Sequence, residues 1–391
     1  MGFLFSSPFI MTGQGLTWFT VAFLIAAFSE NNKNTQLGRI GGIVAIITII
    51  SSFIGSYVSD KFRRDIMIVI GTVIGVIGFY LLTLSNNVND ILFAQSIISL
   101  SWGLMGPAQN ALIADSTKRE ERNSIYAWMF VVSNIFMAIG NLIGYFLYKS
   151  MHSKLDVNLL KTAIKISFYV EVIGAIILLL MIRDKYALPK NQDNIIGEEN
   201  EKNALGFTKM GLYTVTMMLF SSMLISFGAG FSIPFMQYFF VDIYGISLSN
   251  LSLLFAIMIA FTGLLGMWVA NLGTKYGRIK MIVSSQMVSV ILLYMLATYP
   301  PLYLAIIALL TRNAAMNAVG PLVQALLMDH TPRDKRSMVN FINSLSWTLL
   351  NGIGQFFGGI LIDKYGYWIG FIITATFYLL ANILIATIKE S

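Results

Sequence analysis

Two ionisable side chains stand deep inside long apolar stretches. Glu171 is six residues from Lys165 and twelve from Arg183, and Arg312 has no other charged residue within sixteen positions. A carboxyl that takes up and releases a proton in such a setting is what proton coupling requires. As a neutral acid, the same residue would only hydrogen-bond within its own helix bundle. A guanidinium stays charged wherever it sits, so Arg312 needs an anionic partner, a ring of carbonyls or water. It reads either as a counter-charge for an anionic solute group or a titrating acid, or as a structural hydrogen-bond donor. Beside it, Asn313, Asn317, Gly320 and Gln324 follow at spacings of 4, 3 and 4, which places them on one stripe of a helix. A second stripe runs through Gln95, Ser99, Gly103, Gly106 and Asn110, with Trp102 and Gln109 at its edge. Polar stripes within apolar helices face a cavity or grip a partner helix.

Other chemistries are short of residues. The chain has no cysteine and two histidines, His152 and His330, both in polar connections. Thiolate nucleophiles and cysteine or histidine metal cages are thereby excluded. No acid pair is placed for general acid and base work, and no P-loop is present to bind a nucleotide. The sequence predicts a chain that is not an enzyme, carries no metal or cofactor, and draws energy from a gradient.

The elements that position these residues follow from composition. Of 391 residues, 56% are apolar and only 12% are charged, against about a quarter charged in soluble domains. The apolar residues fall into twelve blocks, at roughly 3–28, 38–59, 65–85, 90–114, 123–148, 161–183, 207–242, 249–272, 280–298, 301–328, 336–362 and 367–388, each long enough to cross a hydrocarbon layer as a helix. Barrel strands would be about half as long and would alternate. An all-α membrane protein of twelve transmembrane helices is expected. The alternative for Arg312, a structural hydrogen bond, would then run to span 7 or 11.

The net charge of +7 is explained by topology. Of the 26 Lys and Arg, eighteen fall in segments that are cytoplasmic if the amino terminus is inside, seven fall outside, and Arg312 is in a span. Both termini are therefore expected in the cytoplasm, and nucleic acid drops out as a partner. The stretch from Arg183 to Lys209, rich in Asn, Asp, Glu and Lys, has no apolar period. It predicts a cytoplasmic linker over 184–206 between six-helix bundles at 1–183 and 207–391.

A constant offset of 214 residues relates the two halves. It carries Gly106-Pro107 onto Gly320-Pro321, Asp115 onto Asp329, Arg122 onto Arg336, Gly140 onto Gly354, Gly144 onto Gly358 and Arg64 onto Arg278. Six spans lie within the offset, so the halves share one orientation, the arrangement of a rocking secondary transporter. Span 11, with Asn340, Ser344, Trp347, Asn351 and Gln355, and span 5, with Tyr126, Ser133 and Asn141, are expected to form the seam between halves. Gly140, Gly144, Gly354 and Gly358 would allow close approach there.

Between spans 2 and 3, Gly55-Ser-Tyr-Val-Ser-Asp60-Lys61-Phe62-Arg63-Arg64 resembles the loop signature of the major facilitator superfamily. Gly273-Thr-Lys275-Tyr276-Gly277-Arg278-Ile-Lys280 resembles its second copy. The first copy has Arg63 where the family has glycine, and the second has Thr274 where the aspartate belongs. Gly228-Ala-Gly230-Phe-Ser-Ile-Pro234-Phe in span 7 and Gly13-Gln-Gly15 in span 1 add to the likeness, which covers essentially the whole chain.

The resemblance implies a secondary active transporter working by alternating access, with helices 1, 4, 7 and 10 around a central cavity. Solute contacts are then implied for Arg312, Asn313, Asn317, Gln324, Gln95, Ser99, Trp102, Gln109, Asn110, Gln14 and Gln237. Gating is implied for Asp60, Lys61, Arg64, Asp115, Arg122, Arg278, Asp329 and Arg336, with Glu171 as the proton-coupling candidate. The partners expected are a small-molecule solute, protons and membrane lipids, for a monomer in a prokaryotic plasma membrane. Export of a drug or metabolite is the leading reading. Import or uniport of a polar or anionic metabolite, such as a sugar or organic acid, and a non-transporting receptor or scaffold are the alternatives.

Overall fold

The computed structural model of the chain describes residues 2–29, 31–61, 64–116, 119–151, 155–181, 207–332 and 335–388. Their regular structure is helical. The first six helices are α1 (Gly2–Phe28), α2 (Lys33–Lys61), α3 (Arg64–Leu84), α4 (Val88–Ser116), α5 (Arg119–Tyr148) and α6 (Val157–Met181). After them come α7 (Lys209–Ser232), α8 (Met236–Tyr244), α9 (Leu248–Tyr276), α10 (Arg278–Ala297), α11 (Leu302–Asn317), α12 (Gly320–Asp329), α13 (Arg336–Tyr365) and α14 (Tyr367–Ala386). Eleven segments among the described residues are long and apolar enough to cross a bilayer, and a shorter apolar stretch, Leu248–Gly263 of α9, stands where the remaining span is expected. The all-α, twelve-span architecture is therefore as expected.

Two spans are broken by proline. In span 7, Pro234 lacks the N–H that a continuing helix needs, and a 3-10 turn over Ile233–Phe235 separates α7 from α8. In span 10, Pro321 sits in the first turn of α12, where its missing N–H is harmless. Its repeat partner Pro107 lies inside α4, which stays unbroken. Elsewhere, spans follow one another almost without a loop: Gly277 (φ 93°) and Gly366 (φ 91°) reverse the chain in single residues, with backbone angles that a β-carbon would strain.

The chain forms two compact units, Met1–Asn191 with Gln237–Ala260, and Gln192–Met236 with Phe261–Ser391. Within the first, α1 packs on α5 and α6, α4 on α2 and α3, and α3 on α6. Within the second, α7 packs on α13 and α14, and α10 on α11 and α14. The 214-residue offset carries these four contacts of the second unit back onto α1–α5, α1–α6, α3–α4 and α3–α6. Glycines close the tightest crossings. A Cβ on Gly140 would lie 2.2 Å from the Thr12 carbonyl oxygen of α1, and one on Gly354 would lie 2.3 Å from that of Phe227 in α7. Gly140 and Gly354 thus serve α1–α5 and α7–α13 crossings inside a unit, where a seam between halves had been expected for them.

Candidate functional site

The first unit buries a carboxyl for which no hydrogen-bond partner is seen among the described residues. Glu171 lies on the face of α6 that packs against α1, where Ser167, one turn earlier, donates a 2.6 Å hydrogen bond to the Gly13 carbonyl. Gly13 is glycine for a steric reason: a Cβ there would meet Glu171 Cγ at 2.8 Å and Oε1 at 3.1 Å. The carboxyl is 7% exposed, and its Oε1 has no hydrogen-bond partner among the described residues. It borders a cavity of about 40 Å³ whose walls include Ile10 of α1, Thr72 and Gly75 of α3, and Ser101, Trp102 and Met105 of α4. Trp102, expected at the edge of a solute stripe, therefore shares a chamber with the proton-coupling candidate. Periodicity could not foresee that pairing, because the two lie on different helices.

Along the α4 stripe burial is mixed, with no atom within 4 Å of a Cβ placed on Gly106 but Gly103 packed tightly. Gly103 faces α2, where a Cβ would overlap Ser51 Oγ at 1.8 Å, and Ser99, one turn earlier, is also buried. The helices cross this closely because Gly55 answers Gly103 from the α2 side. Ser99 is buried on the same side of α4 as Gly103 by helical spacing. Gln95 and Gln109 are half-buried, and the Asn110 side chain lies outside the described residues.

On span 10 the stripe is real and hydrogen-bonded. Asn317 Nδ2 donates to Asn313 Oδ1 at 3.1 Å, Asn313 Nδ2 donates to Thr262 Oγ1 of α9 at 2.7 Å, and Gln324 Nε2 donates to Asn340 Oδ1 of α13 at 2.8 Å. Asn317, Gly320 and Gln324 are exposed, and no atom lies within 4 Å of a Cβ placed on Gly320. Arg312 belongs to a different face. It is 3% exposed, donates to the Tyr378 hydroxyl of α14 at 3.2 Å, and its guanidinium carbon lies 5.8 Å from that ring's centroid. Its partner is therefore span 12, where span 7 or 11 had been expected. Its Nε has no partner among the described residues.

Of the other expected solute contacts, Gln237 is buried with Oε1 unpartnered, and Gln14 is half-buried with Nε2 unpartnered, among the described residues. Of the gating residues, Arg278 at the start of α10 pairs with Asp329 at the end of α12, half-exposed on both sides. Arg336 donates to the Thr331 carbonyl at 3.3 Å. Arg64 is half-buried at the start of α3, while the side chains of Asp60, Lys61, Asp115 and Arg122 lie outside the described residues.

A second constellation, in which 237–260 packs within the first unit, was foreseen only at Asn141 and Gly144, expected at a seam between halves, where Ser252 reaches the Asn141 carbonyl and a Cβ on Gly144 would lie 2.7 Å from Ser252 Oγ. Tyr238 donates to the Ala22 carbonyl and stacks edge-on against Phe23, and Lys33 pairs with Asp242 at 2.6 Å. Ser249 and Ser252 donate to the carbonyls of Tyr145 and Asn141. No periodic signal marks Tyr238, Lys33, Asp242 or Ser249, since each is an ordinary member of an apolar or turn segment.

Comparison with known proteins adds family evidence to this geometry. The family model described as Major Facilitator Superfamily matches residues 4–214 and 218–390. Multidrug resistance protein 1 of Bacillus subtilis (strain 168) is 25% identical over 364 residues, 91% of this chain and 84% of that protein. A Na(+), Li(+), K(+)/H(+) antiporter of Planococcus maritimus is 29% identical over 143 residues, 35% of this chain and 34% of its own. A crystal structure of a bacterial homologue of the human lysosomal transporter Spinster superposes with a TM-score of 0.75 at 15% identity. That match covers 97% of this chain and 95% of the other, and at such identity it speaks for the fold.

Proposed function

The chain belongs to the Major Facilitator Superfamily, and from that premise we propose that it is a proton-coupled antiporter exporting a small drug-like or metabolic solute by alternating access. The observation that carries the proton is Glu171, whose buried carboxyl has no hydrogen-bond partner among the described residues to hold it in one protonation state. Export is supported by the whole-length relative named for multidrug resistance. Asn317 and Gln324, exposed on the open stripe of span 10, and Gln14, half-buried with a spare donor on α1, are the solute contacts we favour. Arg312 acts through Tyr378, whose hydroxyl it orients. Arg278 and Asp329 belong to the cytoplasmic gate, and by the repeat Arg64 and Asp115 form its counterpart. The setting is a prokaryotic plasma membrane with both termini inside.

The test uses proteoliposomes with an imposed pH gradient. Wild type should show saturable solute counterflow and accumulation driven by the gradient. Glu171→Gln should retain counterflow and lose the response to the gradient. Binding without exchange would instead indicate a receptor, and exchange indifferent to pH in wild type would indicate a uniporter.

A further inference from the structure

Two hydroxyl residues, Thr72 and Ser101, line the cavity that Glu171 borders, and both hydroxyls have already given their protons away. Thr72 Oγ1 donates its proton to the Ile68 carbonyl at 2.7 Å, and Ser101 Oγ donates to the Gly71 carbonyl at 2.7 Å. Each hydroxyl has one proton, so what either oxygen still offers is lone pairs. An ionised carboxylate offers only lone pairs as well. The apolar lining residues add no strong donor, and the Trp102 indole is the one lining side chain with a donor N–H to spare among the described residues. Three oxygen-bearing side chains, Glu171, Thr72 and Ser101, thus line one half-open cavity of about 40 Å³, room for an ion with a water or two, and hard oxygens suit a hard monovalent cation.

Among the described residues no other ionisable group faces the carboxylate. Helix α1 carries none over its whole length. On α3, Tyr80 is exposed and tilted against Phe168, and Arg64 and Asp65 lie at its first turn. On α4, Asp90 caps the outer end by accepting from Asn86 and Asn87, and the Asp115 side chain at the inner end lies outside the described residues. On α6, Lys165 and Tyr169 are exposed and Lys161 reaches Asn86. On α5, Tyr148 bonds Thr20 and Tyr145 stacks on Phe146 at the outer end, and the charged side chains of its first turn lie outside the described residues.

We propose that this chamber is a binding site for a small alkali cation, Na+ or Li+, which replaces the proton on Glu171 and is held by the Thr72 and Ser101 oxygens. The inference rests on the reading of Glu171 as the ion-carrying carboxyl and extends it from protons to metal cations. Gly75 belongs to the same design: a Cβ there would lie 2.7 Å from Ser101 Oγ.

The experiment is thermal unfolding of the purified full chain in detergent, at constant ionic strength, in NaCl or LiCl against N-methylglucamine chloride, across pH. The expected result is a rise in melting midpoint with Na+ and Li+ that grows as protons become scarce, because a ligand stabilises the state it binds. The rise should vanish in Glu171→Gln. In Ser101→Ala and Thr72→Val, which keep the carboxyl, several-fold more Na+ should be needed for half of the effect. Those two variants keep the test decisive should Glu171→Gln fold poorly. Equal midpoints in all three salts, or a Na+ response that survives in Glu171→Gln, would overturn the cation site. If that happens while gradient-driven transport persists in proteoliposomes, the antiport reading stands alone.

Discussion

Tyr378 is the hydrogen-bonding partner seen for the buried guanidinium of Arg312, so the pair is sensitive to a single oxygen. Removing that hydroxyl while keeping the ring leaves a charged donor desolvated, which costs about 1–3 kcal/mol. Tyr378→Phe should therefore lower the melting midpoint clearly in detergent. Arg312→Met, which removes the charge while roughly filling its volume, should be tolerated better than that loss suggests. The opposite holds for Arg278 and Asp329, which pair where both side chains are half-exposed. Asp329→Asn should change stability by less than about 1 kcal/mol, and the difference should shrink at high salt. Sequence identified Arg312 and Glu171 as unusual because charge inside an apolar span is costly anywhere. It did not find Tyr378 or Trp102 as their neighbours, because an aromatic residue in a membrane helix is commonplace and only packing singles one out.

Helix crossings depend on glycines that the pattern had flagged for a different place. Gly140→Ala and Gly354→Ala each drive a methyl into a carbonyl of the facing helix, at 2.2 and 2.3 Å. Backbone atoms cannot rotate away, so each should destabilise by about 1–3 kcal/mol or more, read as lost monodisperse yield and a lower melting midpoint. Alanine at Gly320, where a Cβ meets nothing within 4 Å, is the control and should leave both unchanged. The element boundaries were legible to within a few residues, since hydrophobic length and charged ends fix them. The breaks in spans 7 and 10 were only half legible. Pro234 and Pro321 sit at helix breaks and Pro107 does not, although Pro107 and Pro321 share a repeat position. The difference lies in local packing that no dipeptide encodes.

At the scale of the whole molecule, a chain without cysteine lends itself to topology measurement by single introduced thiols. Ser150→Cys, beyond the end of α5, should react with an impermeant maleimide in intact cells. Lys209→Cys, at the start of α7, should react only after the membrane is opened. The reverse pattern would invert the orientation read from eighteen against seven cations. Composition, span length, charge bias and the 214-residue offset were enough to set an all-α, duplicated membrane fold, because bilayer thickness and backbone hydrogen bonding leave helices of one length as the solution for so many long apolar blocks, while the likeness to the family rested on the two loop signatures at 55–64 and 273–280. Which polar side chains meet was left to the tertiary structure. Periodicity assigns a residue to a face of its own helix, whereas the chamber at Glu171, the Arg312–Tyr378 pair and the docking of 237–260 each depend on which faces of different helices come together. That choice is made by the close packing of glycines and aromatic rings across the crossings, a property of the assembled units and not of any one segment.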